Sequence, residues 1–80
     1  MKYFDWDSQK NEKLKRERDI SFEEILLAIE DDRILDILER LDKKKYSNQR
    51  VFVVEISDYA YLVPFVEDEE KVFLKTIIPS

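Results

Sequence analysis

The chain has 80 residues, enough for one small domain near the size at which a single core suffices without staples, and it contains no cysteine, no histidine and no glycine. Those absences exclude disulfides, iron–sulfur clusters and thiolate zinc sites, the commonest neutral-pH proton shuttle, and the glycine-rich loops that cradle phosphates and dinucleotides. With 44% apolar residues, 41% charged residues and a net charge of −5, the composition suits a folded acidic protein.

That charge is segregated along the chain. Residues 1–18 carry a net +2, 19–42 a net −7, 43–50 a net +4 and 51–80 a net −4. An acidic average argues against indiscriminate nucleic-acid binding, while local basic segments are what steering of an anionic partner needs. Solvated faces that aid solubility are the plainer reading of such blocks. MKYFDWD lacks the apolar run of a signal peptide and no later stretch is long enough to span a bilayer, so a soluble, cytoplasmic protein is expected.

In chain order, Met1 to Trp6 reads as a short strand or an extended lead-in. Asp7 or Ser8 can cap a first helix running to about Arg18, with Glu12 and Arg16 spaced for an i,i+4 pair. Leu14 is its only aliphatic anchor, so this helix belongs on the surface. Ser21 and Glu24 form a capping-box pattern, with Ile20 and Ile25 placed as a hydrophobic staple. Phe22, Ile25, Leu26 and Ile29 then recur at helical spacing to about Asp31, as the core stripe of a second helix. Residues 33–41, RILDILERL, fit a helical stripe better than strand alternation, although so short an apolar run does not decide between them.

From Arg50 the signal changes. RVFVVEI, YAYLVPFV and KVFLKTII are rich in β-branched and aromatic residues, with turns expected at Ser57-Asp58 and at Glu67 to Glu70. Phe52, Val54 and Ile56 share one face of the first strand, and Pro64 denies a ladder donor in the second, which suggests a bulge or a locally open edge. The expected fold is α+β, with two N-terminal helices packed on one face of a small antiparallel sheet.

Phe4-x-Trp6-Asp7-x-x-Lys10, followed without a gap by Ile20-Ser21-Phe22-Glu23-Glu24, resembles the opening of the BrnT family, toxins of bacterial type II toxin–antitoxin systems. Phe73-Leu74-Lys75-Thr76-Ile77-Ile78 resembles the family's closing strand, so the resemblance covers most of the chain. It implies a RelE-like fold, ribonuclease activity and a BrnA-like ribbon–helix–helix antitoxin that binds operator DNA as the complex. It also makes RILDILER the first long strand, the alternative we adopt over the helix. The chain departs from the family pattern in three places. Arg18 and Asp19 stand where members commonly have His-Gly, and Arg40-Leu41 where many have His-Pro. The usual basic segment after the last strand is missing from residues 1–80, so the expectation is a single BrnT-like domain without it.

Cleavage of RNA by such a fold needs neither metal nor cofactor. A base takes the 2′-hydroxyl proton, cations stabilise the phosphorane, and an acid protonates the leaving 5′-oxygen. Lys10, Arg18 and Arg50 are the candidate catalytic cations, Lys10 because it matches the family motif and Arg18 because it replaces the family histidine. A guanidinium stays protonated, so Arg18 would hold phosphate rather than shuttle protons. Lys13, Arg16, Arg40, Lys43, Lys44 and Lys45 are candidate RNA contacts, the lysine triplet reading more simply as a solvated turn. Tyr59, Tyr61 and Trp6 read first as packing residues and only second as base-stacking platforms. Asp31-Asp32 and Glu67-Asp68-Glu69-Glu70 lack the spacing of a divalent-ion site and read as a helix end and a turn.

Overall fold

The structure, a computed structural model, describes residues 2–39 and 49–80. Strand β1 (Tyr3–Trp6) leads through helices α1 (Ser8–Arg18) and α2 (Phe22–Glu30) to β2 (Ile34–Glu39). Strands β3 (Gln49–Ile56), β4 (Tyr59–Glu67), β5 (Lys71–Leu74) and β6 (Ile78–Pro79) follow. The sheet order is β1-β5-β4-β3-β2, with β6 beside β4. The two helices therefore carry the chain from one sheet edge to the other. A meander then returns it until β5 meets β1.

That return corrects one expectation. The sheet is mixed rather than antiparallel, because β1 pairs with β5 in parallel, from Tyr3 opposite Lys71 to Trp6 opposite Leu74. The segment Met1 to Trp6 is thus a strand over Tyr3–Trp6, held by a partner nearly the whole chain away. Residues Ile34–Glu39 are also a strand, antiparallel to β3, as in the strand alternative adopted for RILDILER and against the helical period. Its apolar spacing misleads because β2 is an edge strand with a register shift between Ile34 and Asp36, which breaks alternation.

Local chemistry sets the helix bounds. Asp7 is the N-cap of α1, its carboxylate accepting from the Gln9 N–H at 3.0 Å. The capping box of α2 is complete: the Glu24 N–H donates to Ser21 Oγ at 3.2 Å and the Ser21 N–H to Glu24 Oε2 at 2.9 Å. Helix α2 ends in a Schellman arrangement, in which Arg33 N–H donates to Ala28 C=O and Asp32 N–H to Ile29 C=O. Asp32, with φ 61°, occupies the left-handed position that glycine usually takes. Ser57 and Asp58, with φ 53° and 62°, form a two-residue I′ hairpin turn between β3 and β4.

Phe22, Ile25, Val54, Val63, Phe65, Leu74 and Ile77 are the largest fully buried side chains. They bring α2 against the sheet face formed by Phe52, Val54, Val63, Phe65, Val72 and Leu74. Phe52 and Phe65 stack at 3.9 Å between ring centroids. Trp6 stacks on Phe22 at 5.7 Å, which ties β1 to α2. The stretch KVFLKTII is not one strand. β5 pairs with Phe65–Glu67 and β6 with Tyr61 and Leu62, so the ladder parts opposite Val63 and Pro64. Lys75 N–H still donates to Pro64 C=O at 2.8 Å, which turns that side of Pro64, where an N–H is missing, toward the break. Ile77 fills the core at this point.

Candidate cationic surface on the first helix

Helix α1 is almost wholly polar, yet three side chains on one stripe hold it down. Leu14 is buried in the core. Asn11, 4% exposed, accepts the Phe22 N–H on Oδ1 at 2.8 Å and donates from Nδ2 to Glu23 Oε1 at 2.8 Å. The Phe22 N–H is one of the orphan donors of the first turn of α2, so Asn11 acts as a second cap delivered from the neighbouring helix. Arg18 donates to the Ile77 carbonyl at 2.8 Å, linking the end of α1 to the segment between β5 and β6. Asp19, with φ 54°, then reverses the chain.

Sequence reasoning missed Asn11. Its position three residues before Leu14 placed it on the buried stripe, and that spacing was the available signal. The expected Glu12–Arg16 pair is not formed. Glu12 instead approaches Lys15 at 3.5 Å, and Lys15 also lies 3.8 Å from Glu23. Lys15 reaches Glu12 one turn back on its own helix and Glu23 across on α2, while Arg16 is exposed.

Lys10, Lys13 and Arg16 follow one another at three-residue steps along α1, from the flank of the buried stripe, where Lys10 lies one turn before Leu14, round to its outer side at Arg16. Among the described residues none of the three makes a hydrogen bond or ion pair. Lys10 is half-buried, and Lys13 and Arg16 are exposed. Arg16 also lines a shallow groove of about 430 Å³ with Ser8, Gln9 and Glu12.

The other candidates are occupied or lie elsewhere. Arg50, on β3, pairs with Glu67 on β4 and sits 5.2 Å from the Phe65 ring centroid. Lys2 reaches the other Glu67 oxygen at 2.8 Å. Arg40, Lys43, Lys44 and Lys45 lie outside the described residues. Three carboxylates titrate below their ordinary range. Glu23 is lowered first by the Asn11 hydrogen bond, Glu67 first by Lys2 and then by Arg50, and Asp68 by the Lys71 and Glu70 N–H groups. Each is thereby held as a firm anion, a structural acceptor rather than a proton donor near neutrality.

Asp31 and Asp32 serve the C-terminus of α2, and Asp68 caps the β4–β5 turn. No group of three or more acidic side chains converges on a metal-sized site among the described residues. The Tyr59 and Tyr61 rings lie 5.0 Å apart on one face of β4, and Tyr59 donates to the Ser80 carbonyl. No described helix is long and apolar enough to cross a membrane. Comparison of the chain with protein-family models, curated proteins and solved structures finds no match.

Proposed function

We propose that the protein is a BrnT-like, RelE-like toxin component of a type II toxin–antitoxin system, a metal-independent cytoplasmic endoribonuclease neutralised by a ribbon–helix–helix antitoxin. The observation that carries this reading is the row Lys10, Lys13 and Arg16. These cations have no intramolecular partner among the described residues, on a helix that contributes one aliphatic side chain to the core. Cations left unpaired on a helix fixed by Asn11, Leu14 and Arg18 suit an anionic backbone such as RNA. Lys10, at the motif position and half-buried, is the residue assigned to phosphorane charge. Arg18 and Arg50 keep supporting roles, because each already has a protein partner.

A second reading is favoured by a specific observation. Arg18, at the family's histidine position, is engaged by the Ile77 carbonyl, and a guanidinium does not shuttle protons. A chain arranged in this way suits antitoxin binding without cleavage. Expression in a bacterial host separates the two readings. Growth arrest relieved by a neighbouring ribbon–helix–helix gene supports the toxin. Tight complex formation without arrest supports the non-catalytic form, and neither result would leave the family reading without support.

A further inference from the structure

The far edge of the sheet has a different chemistry from α1. β2 is the last strand beyond β3, and among the described residues its outer side pairs with nothing. Leu35, Ile37 and Leu38 are 59%, 44% and 42% exposed. Ile37 lies opposite Phe52 and Leu38 opposite Val51, so apolar surface is presented on both faces of the edge. Edge strands of this kind template the addition of another strand unless charge or geometry blocks them.

The protection here is slight. The Ile37 N–H donates to Asp36 Oδ1 at 2.8 Å, as the Trp6 N–H does to Asp5 on the opposite edge strand. A carboxylate turned back in this way takes an N–H that a ladder would use, and it releases readily to a competing carbonyl.

Charge selects the occupant. Glu30, Asp31, Asp32, Asp36 and Glu39 lie on or next to this edge; of the described cations beside them, Arg33 is engaged with Asp31 at 3.1 Å and Arg50, opposite Glu39, with Glu67. The groove there, about 460 Å³, is lined by Leu27, Ala28 and Ile56 and rimmed by Glu24, Glu30, Asp31 and the Asp31-bound Arg33, three acids to one base. Nucleic acid is repelled by such a rim. A second copy would set Asp36 and Glu39 against the same acidic strand.

We propose that β2 is a docking edge for an extended basic segment of another protein, which adds as a strand beyond Ile34–Glu39 and sets its alternate lysines or arginines on one sheet face, beside Asp36 on one face or beside Glu39 and the acidic rim on the other. This inference is independent of ribonuclease activity.

The test uses the full chain, isotope-labelled, and two blocked decapeptides, one alternating lysine with valine and one alternating glutamate with valine. The lysine peptide should shift the amide resonances of residues 34–39 and slow their hydrogen exchange, while the glutamate peptide leaves them unchanged. Asp36→Lys with Glu39→Lys should weaken the lysine peptide at least tenfold and admit the glutamate peptide. Ile37→Thr, which keeps a strand-forming residue, should weaken the lysine peptide severalfold and provides the reading if the double variant folds poorly. Equal response to both peptides, shifts centred away from β2, or β2 amides already protected in a dimer of the free chain would each overturn the proposal.

Discussion

Replacing Asn11 by alanine tests how a helix with one aliphatic anchor stays attached. In the native protein Oδ1 takes the Phe22 N–H and Nδ2 donates to Glu23, both at 2.8 Å, with the side chain almost out of water. Alanine removes both partners and leaves the Phe22 N–H at a buried position. An unpaired buried donor costs about 1–3 kcal/mol, and a cap lost from a helix costs about 1 kcal/mol; the two descriptions overlap, so we expect about 2 kcal/mol. For a domain of this size that lowers the thermal midpoint by roughly 8–16 °C. Gln9→Ala, exposed on the same helix, should stay within about 0.5 kcal/mol of the native protein.

Asn11→Asp sharpens the test. It keeps the acceptor for Phe22 but sets a second carboxylate against Glu23, so one of the pair gains a raised pKa. A carboxylate raised in the folded state loses stability as pH rises, and the variant's deficit should therefore shrink on acidification. The native Glu23 behaves oppositely. Its pKa is lowered from 4.5, so its contribution is complete above that value and is lost as pH falls through the lower folded value. Thermal unfolding followed by circular dichroism from neutrality to well below pH 4.5, a range that spans the ordinary value and the interval beneath it, reads both effects. An Asn11→Ala midpoint equal to that of Gln9→Ala would refute the interhelical cap.

Truncating Phe22 to alanine should cost about 3–5 kcal/mol, read by urea denaturation, because its ring is fully buried and stacked on Trp6. Asp58→Gly should raise stability by up to about 1 kcal/mol, since glycine adopts its φ of 62° without the clash of a Cβ. Glu67, held below its ordinary range by Lys2 and Arg50, should contribute stability above that range and lose it on acidification. Glu67→Gln should accordingly flatten the acid limb of a midpoint-against-pH profile. Lys10→Ala should lower RNA cleavage while leaving the midpoint nearly unchanged, because Lys10 has no partner among the described residues; equal activity would remove its assigned role.

What could be read from the sequence was what is decided locally. The Ser21–Glu24 capping box, the Ile25 stripe and the Ser57-Asp58 turn each depend on neighbours a few residues apart, and each stands where expected. The parallel β1–β5 pair was not legible, because Tyr3 and Lys71 meet through packing and leave no short-range period. Ile34–Glu39 resisted assignment because an edge strand with a shifted register exposes apolar residues on both faces, which mimics a helical stripe. In the candidate site, that Lys10, Lys13 and Arg16 are cations of the first helix was legible. That Arg18 and Arg50 would be taken up by Ile77 and Glu67 was not, since both partners are remote in sequence.

The measurement closest to the central claim is cleavage of a labelled RNA by the purified chain in EDTA, compared with the Lys10→Ala, Lys13→Ala, Arg16→Ala triple variant. The account predicts metal-independent cleavage leaving a 2′,3′-cyclic phosphate, lost in a triple variant whose thermal midpoint is unchanged. Intact RNA with the native chain, or cleavage that survives in the triple variant, would contradict it.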